Sequence, residues 1–195
     1  ATVGTVLPNE EVELRSEISG KVERIFFSEG RAVGKGEVLV KISDAELQAQ
    51  LLRARYRQAI AEEQAERQRQ LFGKEQISQA EYDSAVNAMN IARAEVQLIQ
   101  AQLNKTEIRA PFPGVIGLRQ VSAGSYLSPA TPIATLQDTR RVKIEFAVPE
   151  KYAGALKVGD EIRFSVQGGP QTFAGRIYAL ETRIDQATRT LRLRA

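Results

Sequence analysis

Residues 78–103 read SQAEYDSAVNAMNIARAEVQLIQAQL, and their apolar spacing decides the fold. Tyr82, Ala85, Met89, Ala92, Val96, Ile99 and Leu103 step by 3, 4, 3, 4, 3, 4, a seam of period 3.5 that one helix offers to another. Ser78 opens the run and Glu81 follows three residues later, the pattern in which hydroxyl and carboxylate satisfy each other's free amides. Upstream, Leu47, Leu51, Ala54, Ala61, Ala65 and Phe72 form a matching stripe with Gln58 and Gln68 in two of its slots, and Ser43 with Glu46 repeats the capping pattern. No proline occurs between Pro8 and Pro111, and Gly73 is the only glycine from Asp44 to Ala110. Proline removes a helix hydrogen bond and glycine costs backbone entropy, so a window without them favours helix. Residues 44–105 are therefore expected to form an antiparallel coiled-coil hairpin turning at Gly73–Ile77. Arms of about 28 residues would be about 42 Å long.

The flanks of this hairpin repeat one another. Residues 14–44 and 108–138 align without a gap, pairing Leu14 with Ile108, Ile18 with Phe112, Gly20 with Gly114, Gly30 with Gly124, Val33 with Leu127, Leu39 with Ile133, Ile42 with Leu136 and Asp44 with Asp138. Both copies read as short strands broken by turns: Lys21–Phe27 then Ser28-Glu29-Gly30, and Val115–Val121 then Ser122-Ala123-Gly124. Glycine in each turn admits positive φ. A copy of about 30 residues is too small to fold alone. Together the copies are expected to build one β-sandwich, with the hairpin inserted between its halves.

Beyond the repeat, Arg141–Val148 reads as a strand, Pro149–Leu156 as a short helix, Glu161–Val166 as a strand, Gly168-Gly169-Pro170 as a turn and Gln171–Ala179 as a strand. Thr188–Leu193 alternates polar and apolar residues like a further strand, and Thr2–Val6 reads as one more.

Composition removes whole classes of chemistry. Lys plus Arg is 27 against 24 for Asp plus Glu, a net charge of +3 that is too small to neutralise many phosphates, so no nucleic-acid partner is expected. With no Cys and no His, the chain cannot build a disulfide, a Cys/His zinc site, or a nucleophile–histidine pair. No apolar run approaches the ~18 residues needed to span a bilayer. Gly30-Arg31-Ala32-Val33-Gly34-Lys35-Gly36 superficially matches a phosphate loop. It is one residue short, has Gly36 where Ser or Thr would hold magnesium, and precedes a strand, so it reads as a β-turn.

Gly20-Lys21-Val22 with Glu29-Gly30-Arg31-Ala32-Val33-Gly34-Lys35-Gly36-Glu37-Val38-Leu39 resembles the first half of a biotinyl/lipoyl-type hairpin domain. Arg109-Ala110-Pro111-Phe112-Pro113-Gly114-Val115-Ile116 resembles the second half as it occurs in periplasmic adaptor proteins, the HlyD-like membrane fusion proteins of tripartite efflux pumps. The resemblance covers essentially the whole chain. It implies an elongated, modular, mixed α and β fold: an N-terminal barrel strand over 1–13, a lipoyl-like first half over 14–43, the α-helical hairpin over 44–105, the lipoyl-like second half over 106–138, and a truncated β-barrel over 139–195. The implied function is that of a non-enzymatic adaptor without cofactor or metal, bridging an RND-type inner-membrane transporter and a TolC-type outer-membrane channel. The family implies a periplasmic hexamer, a trimer of dimers, anchored to the inner membrane through an N-terminal segment outside this chain. An adaptor for an ABC exporter shares these domains.

A third reading is a carrier domain of a multi-enzyme complex. Where such domains present their modified lysine, this chain enters the hairpin through Ser43-Asp44-Ala45, and it has no Met-Lys-Met. Lys41 falls before that junction and reads as a surface strand residue, so carriage is rejected. At the hairpin tip, Arg67, Leu71 and Ser78 fit the spacing R-x3-L-x6-S. Adaptors that dock on TolC-type channels resemble this, which implies that Arg67 bonds the channel, Leu71 fills an apolar groove and Ser78 contacts the partner while capping its helix. Each has a simpler role available: Arg67 as one of many surface arginines, Leu71 packed on Ile77, Ser78 as a cap.

Overall fold

The computed structural model describes residues 2–166 and 171–195. The turn expected at Gly168-Gly169-Pro170 lies outside them. The chain divides into two compact units, Glu13–Leu136 and Ala1–Val12 with Gln137–Ala195.

In the first unit four of the five apolar pairs matched by the repeat are buried, and Ile18 with Phe112 is half-buried. Leu14 and Ile108, Val33 and Leu127, Leu39 and Ile133, and Ile42 and Leu136 are all buried. Strands β2 (Gly20–Ile25), β3 (Ala32–Val33) and β4 (Val38–Ile42) come from the first copy; β5 (Glu107–Arg109), β6 (Gly114–Ile116), β7 (Tyr126–Leu127) and the start of β8 (Pro132–Pro149) come from the second. Pairing crosses between copies. The order β5-β4-β2-β7 flanks two strands of the first copy with two of the second, and Ala32 of β3 faces Val115 of β6. Neither copy could complete these sheets alone, the physical reason for the ungapped repeat. Gly30 and Gly124 have φ of +73° and +88°, the left-handed region that glycine enters without a Cβ clash. The strand expected over Val115–Val121 ends at Ile116. From there the chain runs against β8 through the Gly117 and Gln120 amides, and a Cβ on Gly117 would sit 2.4 Å from Thr135 Oγ1.

The hairpin grows out of adjacent strands. Lys41 near the end of β4 faces Glu107 at the start of β5, so α1 (Ala45–Phe72) and α2 (Gln79–Asn104) leave side by side and antiparallel. Leu51, Ala54, Ile99 and Leu103 form the buried base of the seam, with Leu47 and Val96 packed against it. Phe72 and Tyr82 stack at 5.2 Å near the tip. Between them the seam is lined by small residues, Ala65 and Ala92, and flanked by the ion pairs Arg57–Glu95 and Arg93–Glu62. Such exposed pairs contribute at most about 1 kcal/mol each, so stability rests on the apolar ends. We expect Val96→Asp to bring a carboxylate against the basal cluster at a cost on the order of a few kcal/mol. Thermal melts followed by far-UV circular dichroism would register it; an unchanged melt would contradict the seam.

Ser78 and Glu81 form the reciprocal cap of α2. The equivalent cap expected from Ser43 and Glu46 is not made. Asp44 occupies the N-cap of α1 and makes no side-chain cap bond, because its carboxylate is engaged by Lys41 and Gln48.

The second unit contains most of β1 (Gly4–Arg15), the later part of β8, a 3-10 helix (Glu150–Ala155), β9 (Glu161–Ser165), β10 (Thr172–Arg176), β11 (Ala179–Leu180) and β12 (Thr190–Arg194). β12 pairs antiparallel with β8 from Thr190↔Pro149 to Arg194↔Glu145, and β11 continues the sheet. β9 and β10 form a separate pair. Val148, Ile177, Leu191 and Leu193 make the core. Two strands are longer than expected. β8 runs unbroken for 18 residues because no glycine interrupts Pro132–Pro149. β1 extends for 12 residues through Pro8, which an edge strand bonded on one side tolerates.

Candidate functional site

The hairpin tip is built by the last turn of α1, five connecting residues and the cap of α2. Gly73 stays right-handed at φ −63°, and the left-handed residue that closes the turn is Glu75 at φ 57°. The turn falls within the expected Gly73–Ile77, with Gly73 as the C-cap of α1 and the left-handed position taken by Glu75, not by the glycine. The Leu71 carbonyl accepts two turn amides, from Lys74 at 3.1 Å and Gln76 at 3.0 Å. That double bond pins the backbone of Leu71, whose side chain is half-buried.

Arg67 lies one turn before Leu71 on the same face of α1 and is exposed. Its guanidinium donates to Glu63 at 2.8 Å along its own helix, an exposed pair that a competing carboxylate or carbonyl could replace at little cost. Ser78 stands across the turn. Its hydroxyl accepts the Glu81 amide at 3.3 Å and donates to the Glu81 carboxylate at 2.8 Å, which also takes the Ser78 amide at 2.8 Å. The Ser78 backbone and hydroxyl bonds together hold the Glu81 carboxyl below the usual carboxylate range. The structure thus sets Arg67 and Leu71 on one helix face and Ser78 at the head of the other helix. As a cap, Ser78 is expected to contribute about 1 kcal/mol to hairpin stability, a loss that thermal melts of Ser78→Ala would register.

Two features of the hairpin escaped the sequence reading. Off the seam, α1 presents Leu52, Tyr56 and Ile60, and α2 presents Ile91 and Leu98, each more than half exposed. The cross-helix partners Arg57–Glu95 and Phe72–Tyr82 put Leu98 level with Tyr56, so both stripes occupy the same height. Their spacing of four and of seven residues was readable, but the seam's regularity drew attention from it. The other feature is Lys41. It is only 20% exposed, and its ammonium donates to Asp44 at 2.7 Å, to Thr106 at 3.0 Å and to Glu107 at 3.4 Å. The reading as an ordinary surface strand residue is corrected. Among the described residues, no cluster of His, Cys, Asp or Glu could hold a metal ion, and no helix is long and apolar enough to cross a membrane.

Comparison with known proteins matches this architecture. The family described as "RND MFP, barrel-sandwich hybrid domain" matches residues 10–139, and "CusB-like, beta-barrel domain" matches 141–195. The multidrug resistance protein MdtA of Klebsiella pneumoniae is 29% identical over 99% of this chain and 52% of its own length. The efflux pump periplasmic linker BepF of Brucella suis is 33% identical over 76% of this chain and 40% of its own. An uncharacterised Haemophilus influenzae protein is 28% identical over 96% of this chain, and the chain spans about half the length of such relatives (49% here). Among solved structures, a MacA-MexA chimera carrying the Pseudomonas aeruginosa MexA α-hairpin superposes with a TM-score of 0.88 at 22% identity, covering 100% of this chain and 73% of the chimera. A split sandwich assembled from two interleaved copies, a coiled-coil hairpin between them and a barrel domain after them make this chain a member of the RND membrane fusion protein (MFP) family.

Proposed function

We propose that this chain belongs to the adaptor subunit of a tripartite multidrug efflux pump of the RND type, bridging an inner-membrane transporter and a TolC-type outer-membrane channel. The observation that carries the reading is the tip: an apolar side chain on a backbone pinned by two turn amides, beside a replaceable surface arginine, at the end of a hairpin anchored in a sandwich. A tip offers little area, so docking there needs concentrated anchors of this kind, with Arg67, Leu71 and Ser78 as the contacts. The proposed domain limits are the barrel strand at 1–13, sandwich halves at 14–43 and 106–138, the hairpin at 44–105 and the barrel at 139–195. The adaptor does no chemistry of its own; the transporter supplies the energy. It works in the periplasm, held to the inner membrane.

Self-association as a hexamer, a trimer of dimers, fits the two outer stripes. They lie on different helices at one height, so the stripe on α1 of one copy can meet the stripe on α2 of the next without a rise along the hairpin, as a closed ring of either equal or alternating contacts requires. Deleting the gene should raise drug susceptibility, and the full-length gene should restore resistance. Purification of the tagged adaptor after in-cell cross-linking should bring down an RND transporter. Recovery of an ATP-driven exporter instead would replace the RND reading, and unchanged susceptibility in a strain dependent on the pump would overturn the adaptor role.

A further inference from the structure

The base of the hairpin is gathered around one half-buried lysine. Asp44 caps the start of α1, Thr106 stands in the turn that follows α2, and Glu107 opens β5; one ammonium, on β4, reaches all three. Thr106 is fully buried, and its hydroxyl also donates to the Leu103 carbonyl at 2.7 Å, so the lysine bond ties directly into the last turn of α2. An ammonium has three protons, and each finds an acceptor on a different element. Burial opposes the charge, but the hydrogen bonds and attraction of Asp44 and Glu107 outweigh it and hold Lys41 above its ordinary pKa. The internal repeat supplies a comparison. The residue equivalent to Lys41 in the second copy is Thr135, and the equivalent of Asp44, Asp138, turns instead to Arg140 and Asn9. A lysine at this position thus stands only in the copy from which the hairpin emerges.

The geometry points to Lys41 as a positioning residue for docking: a single pivot that fixes the direction of the hairpin on the sandwich, and so where the tip presents Leu71 and Arg67. This rests on the docking reading above, but its structural half is tested without it. This sequence has no cysteine, so once any cysteine elsewhere in the full-length protein is replaced by serine, spin labels go to Gln76→Cys on the tip and Ala123→Cys on the sandwich. The parent should give one narrow distance distribution by pulsed electron resonance. Lys41→Met, which keeps length and loses charge, should at least double its width while the helical circular dichroism signal at 222 nm is kept, and should lower drug resistance several-fold. Lys41→Arg should recover much of both. If Lys41→Met does not fold, Thr106→Val removes one acceptor without changing shape and should broaden the distribution to a smaller degree. An unchanged width in the folded variants overturns the pivot. Broadening with full resistance overturns its role in docking. Failure of docking itself is read separately, by tip variants that leave Lys41 intact.

Discussion

Leu71→Asp is expected to abolish efflux in a pump-dependent strain while the protein folds and accumulates normally. Leu71 is half-buried in the last turn of α1, away from the Leu51–Ala54–Ile99–Leu103 cluster that holds the seam, so little of the hairpin's stability depends on it. In the docked state its side chain would enter an apolar groove. An aspartate there would be an unpaired charge removed from water, a loss of roughly 3–5 kcal/mol. That corresponds to docking weaker by a factor of about 100 to several thousand. Arg67→Asp should act in the same direction by reversing the charge offered to the channel. It also sets two carboxylates a turn apart with Glu63, at a helix cost of only about 0.5 kcal/mol. Drug-susceptibility assays paired with thermal melts separate docking from folding. Full resistance from a folded Leu71→Asp protein would remove the tip from the mechanism.

Tyr56→Asp combined with Leu98→Asp is expected to prevent ring formation and so to eliminate efflux as completely. Both side chains point away from the seam and are more than half exposed, so the single chain should melt as before. Between copies, each charge would replace an apolar contact at the centre of the stripe. The assembly is read directly by pairing Ile60→Cys with Ile91→Cys in cells. The two positions face outward from opposite helices, so oxidation should link only neighbouring chains and give a ladder ending at six. A ladder that persists in the aspartate double variant, or monomer alone in the otherwise unaltered protein, would contradict the ring.

The hairpin and the split sandwich were legible because each rests on a period. The 3.5 spacing of Tyr82 to Leu103 and the matched apolar positions of the two copies survive any detail of turn geometry, and all eight residues of four matched pairs are buried. What was not legible depended on competition between partners. Ser43 and Glu46 have the spacing of a cap, yet Asp44 takes the N-cap position and turns its carboxylate to Lys41, a residue whose role appears only when β4, β5 and both helix ends meet. Within the expected turn, Glu75 rather than Gly73 takes the left-handed position once Gly73 is held by amide bonds to the α1 carbonyls. The length of β1 was underestimated because Pro8 reads as a breaker until its strand is known to be an edge, whereas the strand expected over Gln171–Ala179 is shorter, Thr172–Arg176. The proposed tip contacts rest on resemblance; the pinned Leu71 carbonyl adds a physical argument for one of them that no spacing carries.

If the proposed docking holds, the tip of this hairpin touches the outer-membrane channel in the assembled pump. A photoreactive amino acid placed at position 71, with a control at the exposed sandwich residue Tyr126, tests it in living cells. An ultraviolet-dependent adduct between this protein and the TolC-type channel is expected from position 71 and none from position 126. An adduct from position 126 with none from position 71, under conditions where the strain still exports drug, would contradict it.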